Sequence, residues 1–280
     1  MTGETEDSGA DPHDRGVVAN ATWDEAFPPS RDTMLAGEVI LWQPSRKRGY
    51  RFNLDPVLLA GFAPPAKHVL DLGAGVGVVG ILMLAYNRAQ QVTAVEIQEE
   101  LATLARQNGR ENNVAERFEV IHVDLRRAVV PKVDAVVFNP PYFKLGEGRP
   151  SSDLGRSIAR QERCATLADF VATASRAVLP GGSVSAIIRM ARADELCELL
   201  RQRFMGVVRL RDVVARKGEA AAHVLIEARA GVVIQSDAKP QREEPLIVHV
   251  GEGRDYSDEV AALLEERKWH RDALKGIDGP

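Results

Sequence analysis

The chain has few cysteines and no long apolar run, and each absence excludes a class of protein. Its 280 residues include only two cysteines, Cys164 and Cys197, without the spacing of a pair. A disulfide framework and a zinc site are therefore not expected, and a reducing cytoplasm is the compartment that fits. No apolar stretch is long enough to span a bilayer. The acidic start, residues 1–7, also lacks the pattern of a signal peptide.

The overall charge does not favour nucleic acid as a partner, although two local segments do. The chain has 36 basic and 40 acidic residues, which gives a net charge of −4, whereas domains that bind nucleic acids tend to be basic. One segment places cations around an aromatic ring: Arg46, Lys47, Arg48, Tyr50 and Arg51. A second basic stretch consists of Arg201, Arg203, Arg209, Arg211, Arg216 and Lys217. Each segment can bind phosphates or form an ordinary solvated surface.

The pattern along the chain predicts one domain behind a polar tail. Residues 1–32 are rich in Gly, Asp, Glu, Ser and Pro and are predicted to be disordered. We expect residues 33–280 to form a single domain, because no linker divides the strand and helix pattern that they contain. A strand at 37–43 and a helix with Asp55 as N-cap and Pro56 as its first residue form the lead-in.

After this lead-in, apolar strands and amphipathic helices alternate, which predicts an α/β fold with a doubly wound, mostly parallel sheet. A helix is expected at 167–179, ended by the Pro-Gly-Gly that follows. Strands at 207–214 and 223–227 are expected to form an antiparallel pair at the sheet edge. An extended segment at 245–250 and a final helix then form a C-terminal extension.

A glycine cluster follows the first strand of this pattern. Gly75, Gly77 and Gly80 match the G-x-G-x-x-G spacing of dinucleotide-binding folds. Glycines there allow a tight turn and a close backbone approach, and the helix that follows offers free N–H groups. Asp71 precedes the glycines, and a carboxylate at that position repels a pyrophosphate but suits the ammonium group of an amino acid. The pattern therefore favours S-adenosylmethionine over NAD.

Acids end the next two strands. Glu96 closes the strand 91–96 and lies about as far beyond the glycine segment as the ribose-binding acid does in dinucleotide folds. Its two oxygens can accept both ribose hydroxyls, or it can be a solvated acid at a strand end. Asp124 closes the strand 118–123 and can accept from an adenine amine or cap the following turn. Acids at successive strand ends beside a glycine loop together predict a ligand site.

The most informative segment is Asn139-Pro140-Pro141-Tyr142, directly after the apolar strand 133–138. The two prolines cannot extend the hydrogen-bonded ladder, and they fix the backbone, so the turn is stiff. It can direct the Asn139 amide and the Pro140 carbonyl towards one point beside an aromatic ring. Oxygens that accept N–H bonds and a ring that stacks on a flat face suit a planar amine. In isolation, the same residues are also typical of a surface turn.

These motifs resemble those of the class I S-adenosylmethionine-dependent methyltransferases. Residues 71–77 are similar to motif I of that family, and residues 139–142 are similar to motif IV of its amino-methylating members. Those members act on adenine N6, on guanine N2 in ribosomal RNA, or on glutamine in release factors. Within them, the chain resembles the bacterial branch of valine tRNA adenine-37 N6-methyltransferases. The stretches that carry this resemblance are 43–59, 139–144 with 158–162, and 245–248 with Tyr256.

The resemblance implies a Rossmann-like sheet of seven strands, with the last strand pair forming an antiparallel hairpin. It also implies that the glycine loop faces the methionine part of S-adenosylmethionine, Glu96 its ribose and Asp124 its adenine. The candidate cofactor contacts are Asp71, Gly73, Gly75, Gly77, Glu96, Ile97, Asp124 and Asn139. The candidate catalytic residues are Asn139, Pro140, Pro141 and Tyr142. The candidate RNA contacts are Arg46, Lys47, Arg48, Tyr50, Arg51 and Lys144.

The expected activity is methyl transfer to an exocyclic amine, with adenine N6 in tRNA as the favoured target. A base must leave a duplex or lie in a loop to reach such a site. The displacement needs no metal and no dedicated base. Guanine N2 in ribosomal RNA and a protein glutamine are alternatives on the same fold. A nicotinamide enzyme and a non-catalytic RNA-binding module are alternatives of other kinds.

Overall fold

A computed structural model describes residues 28–35, 37–45, 53–141, 165–232 and 239–265 of the chain. These ranges contain the strands β1 Ser30–Met34, β2 Val39–Gln43, β3 Ala66–Leu72, β4 Ala89–Glu96, β5 Phe118–His122, β6 Val133–Phe138, β7 Val178–Arg189, β8 Met205–Val214, β9 His223–Ala230, β10 Gln241–Arg242 and β11 Leu246–Ile247. The helices are α1 Asp55–Phe62, α2 Val78–Ala85, α3 Glu99–Glu111, α4 Leu167–Ala177, α5 Ala193–Arg201 and α6 Asp258–Glu265. A short 3-10 helix, Met190–Arg192, connects β7 with α5.

The large sheet has the predicted doubly wound arrangement. Its seven long strands lie in the order β5-β4-β3-β6-β7-β9-β8, and the two-residue strands β10 and β11 pair with the outer side of β8. Strands β3 to β7 pair in parallel, whereas β9 is antiparallel to both β7 and β8. The predicted seven-stranded, mostly parallel sheet with a final antiparallel hairpin is therefore confirmed, and the two short strands extend it to nine.

Alternation of side chains along the central strands divides the core into two layers. Val69 of β3 and Val137 of β6 face one layer, while Leu70, Leu72 and Phe138 of the same strands face the other. Helices α1, α2, α3 and α6 cover the first layer, and α4 and α5 cover the second. Strands covered on both faces are apolar throughout, which explains the continuous apolar runs in the sequence.

The lead-in differs from the prediction at two boundaries. β1 begins at Ser30, inside the segment predicted to be a disordered tail, because it pairs antiparallel with β2 along its whole length. The helix α1 begins at Asp55 after the N-cap Leu54, so the prediction that Asp55 is the cap is wrong. The Asp55 N–H instead donates to the side-chain oxygen of Asn53 at 3.2 Å. The rest of the predicted tail, residues 1–27, lies outside the described residues.

The helix predicted to run to residue 179 ends at Ala177, and β7 begins at the next residue. Val178 already pairs with β6, and the register of the two strands shifts directly afterwards. At Gly182 a Cβ would lie only 2.7 Å from the carbonyl oxygen of Asp134, so the backbones are too close for any side chain. The Pro-Gly-Gly segment therefore forms an irregularity inside the strand instead of ending the helix.

Asn108 of α3 and Asn112, the C-cap residue that follows this helix, join the β1–β2 hairpin to the rest of the domain. The Asn108 side chain accepts from the Trp42 N–H at 2.7 Å and donates to the Trp42 carbonyl at 3.1 Å. One turn later, Asn112 makes the same two bonds with Ile40, at 2.8 and 2.6 Å. The Asn108 amide also donates to the carbonyl of Val76, in the glycine loop, at 2.9 Å. The two side chains therefore act as a strand partner for β2.

Arginines of β8 fix the C-terminal extension and α1 to the sheet. Arg209 lies over the Phe62 ring of α1, 3.9 Å from its centroid, and donates to the Phe62 carbonyl at 2.7 Å. Its guanidinium also pairs with the buried Glu227 of β9 at 2.7 Å. Arg211 pairs with Glu259 of α6 at 2.5 Å. These two members of the second basic stretch make structural ion pairs, which favours a structural role for them over phosphate binding.

Three further observations concern membranes, metals and thiols. No helix in the part of the chain that the structure describes is long and apolar enough to cross a bilayer. Within the same ranges, His, Cys, Asp and Glu side chains form no group of three or more that could hold a metal ion. Cys197 is a free, half-buried thiol on α5, and Cys164 lies outside the described residues.

The substitution Arg209→Ala is expected to destabilise the fold. It removes the ring contact and a carbonyl bond, and it leaves Glu227, whose side chain is only 5% exposed, with Arg229 as a remaining partner at 2.8 Å. Removing one member of a buried ion pair costs about 3–5 kcal/mol. Because Arg229 remains, we expect a loss of about 2–3 kcal/mol in the free energy of unfolding, measured by urea denaturation.

The matched control is Arg201→Ala. Arg201 pairs with Glu198 at 2.7 Å, but the two side chains are 73% and 47% exposed. Exposed pairs of this kind contribute little to stability, so the urea midpoint should stay close to that of the unchanged protein. Equal losses in the two variants would contradict the structural role of Arg209.

Candidate active site

The pairing of the central strands brings three loops together at one edge of the sheet. Leu72, at the end of β3, pairs with β4 on one side and with Phe138 of β6 on the other. At this edge, the ends of three neighbouring strands therefore place three residues side by side: Gly73, Glu96 and Asn139. Adjacent strands are about 4.8 Å apart, so the three positions span about 10 Å. The glycine loop thus lies between the acid that ends β4 and the turn that follows β6.

The loop between β3 and α2 needs glycine for two different reasons. Gly73, Gly75 and Gly77 have φ values of +69°, +58° and +86°, a region that other residues enter only with strain. At Gly77 a Cβ would lie 2.7 Å from the ring of Phe118, so packing also excludes a side chain. At Gly75 a Cβ would meet no atom of the described residues within 4 Å. Within that part of the chain, nothing therefore blocks the close approach of a ligand to the Gly75 backbone.

Asp71 lies under this loop, at the end of β3. Its side chain is buried and accepts from the N–H of Gly80, in the first turn of α2, at 3.1 Å. The pKa of Asp71 is raised to about 7, mainly by burial, while the Gly80 bond lowers the pKa in part and the nearby Glu96 carboxylate adds to the rise. The group is therefore close to half-protonated at neutral pH, and a cation nearby would favour its charged form.

Glu96 cross-links the glycine loop to the end of β4. One oxygen accepts from the Gly75 N–H and the other accepts from the Gln98 N–H, both at 2.8 Å. Burial raises the pKa of Glu96, and the bonds from Gln98 and Gly75 offset part of that effect. A carboxylate oxygen has two acceptor positions, so each oxygen can still accept a hydroxyl. The adjacent Ile97 is partly exposed and presents an apolar side chain at the same edge.

Asp124, two residues beyond β5, is held by an arginine that the sequence did not reveal. The Arg126 guanidinium donates through Nε at 3.0 and 2.9 Å to the two oxygens and through Nη2 at 2.5 Å. The Arg126 backbone N–H donates to the same carboxylate at 2.9 Å, so the turn-capping alternative for Asp124 is observed. The side-chain bonds from Arg126 lower the pKa of Asp124. Its carboxylate is therefore ionised and fixed in orientation.

The turn after β6 stands directly beside the glycine loop. Asn139 is half-buried, Pro140 is buried and Pro141 is exposed. Tyr142, the fourth residue of the motif, lies outside the described residues, as do the predicted RNA contacts Arg46, Lys47, Arg48, Tyr50, Arg51 and Lys144. The described part of the motif thus combines a rigid buried proline with a polar side chain that is partly accessible.

Phe170 of α4 packs beneath both the glycine loop and the turn, and the sequence analysis missed this role. Its ring is tilted against that of Phe138, with centroids 5.4 Å apart. A Cβ on Gly73 would lie 3.2 Å from the same ring. Phe138 directly precedes Asn139. The Phe170 ring therefore packs against the residue before the turn and also lies close to the glycine loop. The only signal in the sequence is an apolar residue on a helix face, which is not specific for such a role.

The arrangement suits an elongated ligand that carries a cation and hydroxyl groups. Three acids, Asp71, Glu96 and Asp124, lie at the ends of the neighbouring strands β3, β4 and β5. Carboxylates around a glycine loop disfavour the pyrophosphate that such loops bind elsewhere, whereas they favour an ammonium or sulfonium group. The Asn139 turn lies on the other side of the loop and can bind a second, amine-bearing molecule.

Comparison with known proteins agrees with this chemistry. The tRNA1(Val) (adenine(37)-N6)-methyltransferase of Tolumonas auensis is 30% identical over 220 residues, which cover 77% of this chain and 89% of that protein. The protein of the same name from Aeromonas hydrophila is 29% identical over 216 residues, covering 76% and 88%. A solved structure described as a predicted O-methyltransferase from Agrobacterium tumefaciens is 27% identical with a TM-score of 0.58, and the match covers 75% of this chain and 94% of that one.

The family model described as the methyltransferase small domain matches residues 55–213, which is more than half of the chain. The match begins at the first residue of α1 and includes the glycine loop, all three strand-end acids and the Asn139 turn. The chain therefore belongs to the methyltransferase small domain family, and it is an enzyme that uses S-adenosylmethionine as its methyl donor.

Proposed function

We propose that this methyltransferase transfers its methyl group to the N6 amine of an adenine in tRNA. The observation that carries the proposal is the register of β3 and β6, with Leu72 opposite Phe138. That register sets the Asn139-Pro140 turn beside the glycine loop, so an amine held by the turn lies next to a donor held by the loop. The names of the relatives support adenine N6 in tRNA as the target.

The roles of the cofactor contacts follow from charge and hydrogen bonding. Asp71 is proposed to stabilise the ammonium group of the donor, because its buried carboxyl gains charge when a cation approaches. Glu96 is proposed to accept hydrogen bonds from the ribose hydroxyls, at the acceptor positions of its oxygens that the N–H groups of Gly75 and Gln98 do not use. Asp124 is proposed to accept a hydrogen bond from the adenine amine, and Arg126 fixes the orientation of the Asp124 carboxylate. Gly73 and Gly77 let the backbone approach the methionine part, and Ile97 adds an apolar contact.

The roles of the catalytic residues follow from the weakness of an exocyclic amine as a nucleophile. Its lone pair is delocalised into the ring, and two acceptors can bias the nitrogen towards a tetrahedral shape. Asn139 and the carbonyl of Pro140 are proposed as these acceptors, with Pro141 keeping the turn stiff and Tyr142 stacking on the base. S-adenosylmethionine supplies a methyl group on a cationic sulfur. The proton of the amine can pass to water, so positioning is the main contribution, about 7–11 kcal/mol in favourable cases.

The RNA is proposed to offer its adenine from a loop, because a stacked base cannot reach the edge of the sheet. The basic segment 46–51, which includes Tyr50, and Lys144 remain the proposed source of phosphate contacts. A tRNA substrate also supports the expectation that the enzyme works in the cytoplasm. Guanine N2 in ribosomal RNA and a protein glutamine are the other planar amines that the same turn suits.

The substrate class is tested with labelled S-adenosylmethionine and purified enzyme. Bulk tRNA, bulk ribosomal RNA and bulk protein are offered separately, and the modified nucleosides are identified by mass spectrometry. We expect label in N6-methyladenosine from tRNA. Label in N2-methylguanosine, or in protein, would contradict the proposed substrate while leaving the methyltransferase assignment intact.

The substitution Asn139→Ala is expected to abolish most of the activity. The amine loses one of its two acceptors, and removing one hydrogen-bonding group that acts in the transition state typically lowers kcat by about 100- to 1,000-fold. Single-turnover methyl transfer to tRNA measures the loss. The Kd for S-adenosylmethionine, measured by calorimetry, should change by no more than a few fold.

Asn139→Asp serves as the matched variant, because it keeps the shape and an acceptor oxygen. We expect it to retain more activity than Asn139→Ala. Activity of the alanine variant equal to that of the unchanged enzyme would refute the role of Asn139.

The affinity for the donor is expected to rise with pH because of Asp71. The pKa of Asp71 in the free enzyme is about 7, and a bound ammonium group stabilises only the ionised carboxylate. Binding below pH 7 must therefore release a proton, so Kd should fall by up to about tenfold per pH unit between pH 5.5 and 7 and level off above. Titration of S-adenosylhomocysteine, whose ammonium group stays charged in this window, measures the effect.

Asp71→Asn provides the comparison for this pH profile. The amide can still accept from the Gly80 N–H but cannot become charged, so we expect weaker binding at pH 7.5 and a flatter profile below pH 7. The raised pKa of Glu96 leaves a smaller dependence in both proteins. Identical profiles for the two proteins would show that Asp71 is not near the ammonium group.

A further inference from the structure

The hairpin between β11 and α6 carries an aromatic pair of which one ring is exposed. His249 and Tyr256 are bridge partners in this hairpin, and their rings stack with centroids 5.2 Å apart and an angle of 17° between planes. Tyr256 is nevertheless 44% exposed. One face of the tyrosine ring is therefore supported by the imidazole, while the side chain remains open to solvent.

The hairpin lies at the same edge of the sheet as the Asn139 turn. β8 runs in the same direction as β7, because both are antiparallel to β9. The carboxyl end of β8 is therefore at the carboxyl edge of the parallel strands. β11 pairs with the last two residues of β8, and the His249 N–H then donates to the carbonyl of Ala215, one residue beyond β8, at 3.0 Å.

The strands β7, β9 and β8 form a wall beside the turn. Phe138, the last residue of β6, pairs with Ala186, and β7 continues for three more residues to Arg189. At about 3.3 Å per residue, the wall rises about 10 Å above the level of the turn. Along the sheet, β11 is four strand positions from β6, a distance of about 19 Å. A single-stranded RNA whose target base enters at Asn139 can extend along this wall to the aromatic pair.

The hairpin is held in place by Arg216. Its guanidinium donates to the carbonyls of Gly251 and Gly253, both at 3.0 Å. Backbone bonds from Val250 to Asp255 at 2.9 Å and from Ser257 to Val248 at 3.0 Å close the hairpin on either side of the bridge. The Tyr256 ring is therefore preorganised, so binding a flat group does not require the loop to be ordered first.

The charges around the pair are of both signs. Arg254, in the hairpin, and Lys217, which follows Arg216 in the chain, are both exposed. Glu252 and Asp255 also lie in the hairpin, so the surface is not strongly basic. Recognition there must depend on the ring more than on phosphate charge, and aromatic stacking is how proteins commonly hold unpaired bases.

We propose that the exposed ring of Tyr256, supported by His249, stacks on an unpaired base that flanks the target nucleotide of the RNA substrate. This inference rests on the proposed function, since it requires an RNA substrate. The role of the pair is to orient the loop of the RNA so that the target base reaches the Asn139 turn. Lys217 and Arg254 contribute phosphate contacts beside it.

The test is binding of an unmodified valine tRNA transcript to the full chain in the presence of S-adenosylhomocysteine. Stacking on one aromatic side chain is worth about a tenfold change in affinity or more. We expect Tyr256→Ala to raise the RNA Kd by about 10-fold or more, Tyr256→Phe to stay within about twofold, and the Kd for S-adenosylhomocysteine to be unchanged in both. Retention of affinity by the phenylalanine variant separates stacking from loss of the fold.

Two controls separate this surface from general effects. Phe204 is 74% exposed in the turn before β8, at the opposite edge of the sheet, so Phe204→Ala should leave the RNA Kd unchanged. Tyr256→Ala should leave the salt dependence of binding unchanged, whereas Lys217→Ala should lower the slope of log Kd against log salt by about one.

The outcomes distinguish this inference from the proposed function. If the unchanged enzyme methylates tRNA but Tyr256→Ala binds it equally well, the stacking surface is wrong and the proposed function stands. If the unchanged enzyme methylates protein instead of tRNA, both are wrong. Weaker RNA binding confined to the Tyr256→Ala and Lys217→Ala variants supports the surface.

Discussion

The parallel pairing of β3 with β4 and β6 is the constraint on which the rest of the site depends. With Leu72 opposite Phe138, the glycine loop, Glu96 and Asn139 follow at one level, and the bond from the Gly75 N–H to Glu96 joins the loop to the end of β4. A shift of one residue would turn the side chains of β3 to the opposite faces and would separate the loop from the turn. The two apolar layers that cover β3 prevent such a shift, since Val69 and Leu70 belong to different layers.

The three strand-end acids share a sequence signal, but their environments give them different properties. Asp71 is buried against α2 and its pKa is raised, while Asp124 is held by Arg126 and its pKa is lowered. The pKa of Glu96 is also raised by burial, and the N–H groups of Gln98 and Gly75 partly oppose that rise. The carboxyl proposed for the ammonium end of the donor therefore ionises less readily than the one proposed for the adenine end, where Arg126 also compensates the charge. Burial and local partners, and not residue type, cause this difference in pKa.

The sequence predicted the fold and the edge of the sheet where the site lies, because strands, glycines and prolines act locally. Gly75 and Pro140 fix backbone conformations that need no distant partner, so their positions follow from the motifs. The contacts of Phe170 with Gly73 and of Arg126 with Asp124 depend on packing and on side-chain orientation. Neither produces a residue spacing that can be recognised in the sequence. The boundary errors have the same origin, since β7 begins early only because β6 is beside it to pair with Val178.

Asn108 and Asn112 have a consequence for association between chains. Among the described residues, β2 pairs with a strand on one side only, and its other side would present unpaired N–H and C=O groups to any extended peptide. Asn108 and Asn112 occupy the groups of Trp42 and Ile40 that such a peptide would need. These side-chain amides thus cover the β2 edge and disfavour edge-to-edge pairing there without a further strand.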